Sequence, residues 1–179
     1  MLKKIVIALV VIVIVFVIVV AMRPADFSIS RSTTIAAPAE TIFTNVNNLH
    51  KWEAWSPWAR LDPAMKQTHE GASAGVGAIY SWDGNKEVGA GRMTITESRT
   101  NSAIRIKLEF LKPFAAVNDT EFTFKPEGTQ TTVKWTMSGK NNFMSKAFCL
   151  FVNMDKMVGG DFEKGLASLK TLAETAEKN

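Results

Sequence analysis

The chain has little of the usual reactive inventory: one cysteine, Cys149, one tyrosine, Tyr80, and two histidines, His50 and His69. A single cysteine excludes an intramolecular disulfide. One thiol and two imidazoles cannot furnish a four-ligand zinc site of the usual kind, and no cofactor is expected. Long runs of one charge are also missing. Leaving aside Lys3 and Lys4, nineteen basic residues face seventeen acidic ones, and no run of like charge exceeds two residues. Nucleic-acid binding needs a clustered basic face, so it is excluded. The glycine-rich stretch from Gly71 to Gly77 leads into a strand rather than a helix and has no lysine. It therefore lacks what a phosphate cradle requires, and no nucleotide is expected.

What the chain does have is an unbroken apolar run, IVIALVVIVIVFVIVVAM, from Ile5 to Met22. As a helix these residues would extend roughly 27 Å, close to the ~30 Å hydrocarbon core of a bilayer. In lipid a single span must satisfy its own backbone, so helix is the available form despite the poor helix propensity of Val and Ile in water. Lys3 and Lys4 could also open a secretory signal, with Val19-Val20-Ala21 as a loose cleavage site. The apolar stretch is longer than the 7–15 residues typical of a signal, which favours an uncleaved anchor over residues 1–22. The positive flank at Lys3 and Lys4 places the N-terminus in the cytoplasm and the rest of the chain outside. Pro24 ends the helix, residues 23–26 form a short linker, and residues 27–177 form a single domain of sufficient length to hold a core.

Within that domain FSISRSTTI, Phe27 to Ile35, alternates as a strand. Pro38 and Glu40 open a helix with Ile42, Phe43 and Val46 on its buried side. Asn47-Asn48 break it, and a second short helical piece carries Leu49, Trp52 and Trp55. From about Met65 to Lys140 the period is two, with turns at Asp83-Gly84-Asn85 and Pro126-Glu127-Gly128. This is an antiparallel meander with one apolar face. From Asn142 to about Glu177 one long helix is expected. Its stripe is Phe148, Phe151, Asp155, Val158, Phe162, Leu166, Leu169 and Ala173, with Gly159-Gly160 as a kink or a point of close approach. Cys149, within AFCLFV, reads as a small buried hydrophobe.

Three stretches, SRSTTIAAPAETIF, NLHKWEAWSPW and MDKMVGGDFEKGLASLKTL, resemble the START-like (SRPBCC) superfamily, and within it the polyketide cyclase/dehydrase and lipid-transport group. The resemblance covers about residues 27–175. It implies an α+β helix-grip fold: an antiparallel sheet wrapped around a long C-terminal helix, with an apolar cavity between. It also implies ligands that are hydrophobic small molecules or lipids. Catalytic relatives and chaperone-assisting relatives both exist in that superfamily.

On that frame the candidate ligand-binding residues of the sheet are Tyr80, Trp82, Met93 and Ile95, then Ile106 and Leu108, then Phe122, Phe124, Trp135 and Met137. Phe162 faces them from the helix. Tyr80, Glu97 and Asp155 are the polar residues that could reach the cavity, Glu97 because it continues the phase of Met93 and Ile95. None is expected to be catalytic: Tyr80 reads as a core aromatic, Glu97 as a strand end, and Asp155 as the partner of a base. His50 and His69 read as loop or surface residues, with no acidic, Ser or Cys partner at motif spacing. Trp52, Trp55 and Trp58 form either an aromatic lip or a cap on the core, the cap being favoured. The leading expectation is a membrane-anchored binding domain for a hydrophobic molecule. The alternatives are a cyclase/dehydratase acting on an apolar substrate and a ligand-free interaction module.

Overall fold

The computed structural model describes residues 1–177. Helix α1 (Leu2–Met22) is exposed along nearly all its length, and it is long and apolar enough to cross a membrane. After Arg23 the chain turns extended and enters strand β1 (Asp26–Ile35). Helix α2 (Ala39–Asn47) follows. Pro38 is its cap residue, Glu40 sits in its positive first turn, and Ile42, Phe43 and Val46 are buried as the spacing requires. The short helical piece expected next is two 3-10 segments, Leu49–Ala54 with Trp52 and Pro57–Arg60 with Trp58, and Trp55 caps the end of the first.

Strands β2 (Lys66–Gly71), β3 (Ala78–Asp83), β4 (Ala90–Arg99), β5 (Ala103–Lys112), β6 (Ala116–Glu127) and β7 (Gln130–Lys140) complete a seven-stranded antiparallel sheet. Its order is β1-β7-β6-β5-β4-β3-β2. The chain order is thus an antiparallel meander closed by β1 pairing with β7, Arg31 opposite Trp135. Apolar residues alternate onto one face: Ile104 lies opposite Phe122, and Phe122 opposite Trp135. Side chains of period two reach that face only while the register holds.

The β4–β5 register slips twice, between Ala90 and Gly91 and again between Ile95 and Glu97, and the second slip moves a candidate residue. Between Ile95 and Glu97 strand β4 is bulged: Ile95 pairs with Ile106, but Glu97 pairs with Arg105. The extra residue moves Glu97 off the phase of Met93 and Ile95 and onto the charged outer face. There it forms ion pairs with Arg99 at 2.9 Å and Arg105 at 3.3 Å. The expectation that Glu97 approaches the cavity rim is therefore corrected. Ser98 takes the inner position, and its hydroxyl lies 2.8 Å from Asn47 Oδ1.

The single long C-terminal helix is corrected too. The chain forms α3 (Phe143–Phe148), a break, and then α4 (Met154–Ala176). Asn142 and Asn153 explain the two starts, since each side chain accepts a hydrogen bond from the backbone N–H three residues on, at 2.8 and 2.9 Å. Phe148 and Phe151 consequently leave the stripe and are exposed, while Phe162, Leu166, Leu169 and Ala173 stay on it, buried. Cys149, at the corner, is half-buried rather than core.

Helix α4 is clamped to β1 by Arg31. The guanidinium donates to both Asp155 carboxylate oxygens and the Asp155 carbonyl at 3.0 Å, and to Glu163 at 2.6 Å. Gly159 makes the clamp possible, because a Cβ there would collide with the Arg31 guanidinium. A Cβ on Gly160 would meet open space. Neighbouring glycines of one helix should therefore respond oppositely. Gly160→Ala should stabilise the fold by about 0.5–1 kcal/mol through helix propensity and unfolded-state entropy. Gly159→Ala should destabilise it by displacing Arg31. Denaturant midpoints of the two variants in detergent check this, and equal shifts would refute the clamp.

Candidate ligand-binding face

The inner sheet face divides into a filled half and an open half. Helix α4 lies toward the β1 edge, packing chiefly on β1, α2 and the second 3-10 segment. Beneath it the aromatic rings are in direct contact. Trp135 stacks on Phe162 with centroids 4.1 Å apart and planes 9° apart, and on Phe122 at 4.7 Å. Trp52, Trp55 and Trp58 meet Trp135 edge-on at 5.7–6.2 Å. Trp52 and Trp55 anchor themselves by donating to the Val46 and Asn45 carbonyls. The trio therefore caps the core, in the sense the spacing suggested. Phe124, packed edge-on against Phe43 at 5.6 Å, is buried, as are Ile95, Ile106 and Met137.

The open half belongs to β3, β4 and β5. Tyr80, Met93 and Leu108 are opposite one another in consecutive registers, and Trp82 lies over Gly91. All four are half-buried. Gly91 leaves the space that the Trp82 ring occupies, while Trp82 Nε1 donates to the Val88 carbonyl at 3.0 Å. Phe110 meets Trp82 edge-on at 6.1 Å and extends the apolar strip. Of the sequence-expected ligand residues, Tyr80, Trp82, Met93 and Leu108 thus form one half-buried strip, with Tyr80, Met93 and Leu108 resting against the edge of the core, whereas Phe122, Phe124, Trp135, Met137, Phe162, Ile95 and Ile106 lie in the packed interior. Two hollows of about 370 and 360 Å³ lie between α4 and, respectively, α2 and the 3-10 segments, lined mainly by polar residues such as Thr41, Thr44 and Ser168. Neither touches the strip.

One polar cluster borders the strip, and sequence spacing did not point to it. His50 and His69 stack with ring centroids 3.9 Å apart and planes 16° apart, and His69 lies 5.1 Å from the Tyr80 ring. The β2–β3 register places His69 opposite Tyr80, and the first 3-10 segment delivers His50 from nineteen residues earlier in the chain. A correct β2–β3 register would have revealed the first contact. The second is purely tertiary. His50 is exposed, as a surface histidine should be, whereas His69 lies half-buried within β2 instead of in a loop, and that part of the expectation is corrected. His69 Nε2 is enclosed without a hydrogen-bond partner, as are Thr120 Oγ1 and Trp135 Nε1.

Burial, followed by the neighbouring His50, holds His69 below its ordinary imidazole pKa, with Leu49 and Glu53 pulling weakly the other way. Burial, followed by the Glu53 charge, pushes Tyr80 up to about 12. Tyr80 is therefore a protonated hydrogen-bond donor at neutral pH, and His69 a neutral imidazole. Asp155 is held below the usual carboxylate range by its hydrogen bonds to Arg31, so it acts in the clamp and not on the strip.

A pH dependence follows. The unfolded chain protonates His69 near pH 6.5, whereas the folded chain does so only at lower pH. Unfolding therefore takes up a proton as pH falls through that range, and stability drops with acidification from pH 7 toward 5. His69→Gln should flatten this part of the profile. An unchanged slope would refute the assignment.

A sheet gripping a terminal helix, with its apolar face turned inward, defines a START-like domain. The chain belongs to the polyketide cyclase/dehydrase and lipid transport family, whose model matches residues 26–174. No curated protein matches the sequence. Solved structures share the fold at low identity. A protein from Chromobacterium violaceum is 14% identical with a TM-score of 0.61, covering 82% of this chain and 96% of that one. Truncated norcoclaurine synthase from Thalictrum flavum is 11% identical with a TM-score of 0.62, covering 84% and 95%. The di-domain aromatase/cyclase StfQ of the steffimycin biosynthetic pathway is 12% identical with a TM-score of 0.61. There the match covers 87% of this chain and 53% of that one.

Proposed function

We propose that this protein is a membrane-anchored binding domain for a hydrophobic small molecule or lipid. Helix α1 is its single span, with the N-terminus cytoplasmic and the domain of residues 27–177 on the other side. One observation carries the reading: the apolar strip of Tyr80, Trp82, Met93 and Leu108, which α4 leaves uncovered. Family membership supports a hydrophobic ligand. At ~25 cal/mol per Å², covering a few hundred Å² of apolar ligand supplies several kcal/mol without any charged contact. Lys3 and Lys4 in the first turn of α1, ahead of its apolar run, support the orientation. The domain binds neither nucleic acid nor nucleotide in this reading, and it needs no metal or cofactor.

A second reading has its own observation. His69 beside Tyr80 puts a neutral imidazole next to a phenolic donor at the edge of the strip, a pair suited to proton transfer on a cyclase or dehydratase substrate. Native mass spectrometry of the full-length protein, extracted gently from membranes, separates the two. A binding domain retains intact lipid or a hydrophobic metabolite, and Tyr80→Phe weakens that retention by no more than the ~0.5–1.5 kcal/mol of one hydrogen bond. An enzyme converts the bound compound, and His69→Gln abolishes the conversion. Protein free of ligand from every extraction would overturn both readings.

A further inference from the structure

Most of the exposed large apolar side chains outside α1 are gathered at one end of the domain. The registers define that end. Asp26 is opposite Lys140, Asn118 opposite Gly139, Phe110 opposite Ala116, and Ala90 opposite Lys112. The start of β1, the end of β7 and the β5–β6 hairpin are therefore together, at the point where α1 enters. The N-terminal half of α4 begins there too, since Lys170 and Glu174, farther along, hydrogen-bond Thr34 and Ala36 at the far end of β1. On this end Phe143, Met144, Phe148 and Phe151 project from the α3–α4 corner, and Leu111 and Phe114 from the β5–β6 hairpin. Phe151 is 80% exposed and Phe114 70%. At the opposite end stands Val76, in the loop held to Asn47 by the Gly75 N–H.

The corner is also joined to the apolar helix. Helix α3 packs against α1, Val20 is fully buried, and the Lys146 ammonium lies 3.5 Å from the Ala21 carbonyl. The linker is tied down by the Asn141 N–H donating to the Ala25 carbonyl at 2.8 Å. From Lys140 to Met154 the chain has two lysines and no carboxylate, a composition matched to phospholipid headgroups. Solvent-exposed phenylalanines collected at one end of a domain are costly in water and mark a surface that is covered in use.

We propose that the α3–α4 corner and the β5–β6 hairpin form a lip that inserts into the headgroup–acyl boundary of the bilayer that α1 crosses. The occupant of this surface is lipid. Phe110, next to Leu111 at the root of the hairpin, and Trp82 beside it belong to the open strip, so the lip sets the mouth of the strip on the membrane. A lipid then enters the strip from the leaflet without crossing water. The inference rests on α1 being a retained span.

The test uses the full chain in phosphatidylcholine vesicles containing a lipid-borne nitroxide. In a Cys149→Ser background, Phe151→Cys, Phe114→Cys and Val76→Cys each carry one polarity-sensitive fluorophore. Labels at 151 and 114 should be quenched several-fold more than the label at 76, and their emission should shift to the blue. A label on Cys149 of the otherwise unaltered protein should behave like the label at 151, which guards against a misfolded variant. If the vesicles retain the protein through alkaline extraction but labels at 151 and 114 stay as accessible to a water-soluble quencher as the label at 76, the lip is refuted and the anchor stands. Shielding from both quenchers would mean that protein covers the surface, such as a second copy of this chain, and would also refute it. Protein released by alkaline extraction would overturn the anchor and the lip together.

Discussion

Phe162→Ala should lower the unfolding free energy by about 3–5 kcal/mol, the range for deleting a large aromatic from a closed core. The side chain is 2% exposed and lies nearly parallel to Trp135, itself 2% exposed. Trp58 closes the edge at 6.4 Å. The surrounding rings are flat and mutually braced, so collapse into the vacated space is limited, and the cavity persists as lost contact energy. Gly165 adds to the constraint. Its missing side chain lets the Trp135 ring and Pro57 approach α4, where a Cβ would lie 2.9 and 3.1 Å from them. Urea unfolding followed by tryptophan fluorescence measures the change. A loss under about 1.5 kcal/mol would mean that Phe162 lines a soft cavity instead of a packed core, and the ligand would then belong under α4.

Leu108→Asp should do the reverse: a modest loss of stability and a large loss of ligand. Leu108 is half-buried and lies between Met93 and Asn118 in register, so an aspartate there can reach water at the edge of the strip in the empty protein. Covering that carboxylate with an apolar ligand strips its water without offering a partner, a penalty of several kcal/mol. Retention of co-purified ligand should fall more than tenfold, equivalent to more than about 1.4 kcal/mol. The contrast between the two variants is the sharpest check on the division of the inner face. If Leu108→Asp keeps the ligand while Phe162→Ala releases it, the strip is not the binding surface.

Much of the architecture was readable from local pattern, because local pattern follows from geometry that each segment has on its own. The apolar run of α1, the alternation of Ile104, Ile106 and Leu108, and the spacing of Phe162, Leu166, Leu169 and Ala173 each specify an element and the face it hides. Pro38 and Glu40 mark the start of α2 by the same logic. The inward-facing residues were also legible, since a period of two leaves only two choices.

What depended on partners distant in sequence was not legible. Glu97 keeps perfect phase with Ile95 as a string of letters. Only pairing with β5 shows that Thr96 is the extra residue and that the carboxylate faces Arg105. Phe148 and Phe151 fit the helical stripe, yet Asn153 restarts the helix after them, and the corner packs against α1 instead of the sheet. His50 and His69 share no spacing that signals contact, because stacking needs a 3-10 segment and a strand edge to arrive at one place. The sequence by itself determined the apolar helix, the alternating strands and the gripped stripe of α4, since these follow from periodicity and caps. Only the tertiary structure decided which half of the inner face is filled and which stays open. That outcome depends on where α4 comes to rest, and α4 rests where Gly159 and Gly165 let Arg31 and Trp135 approach it.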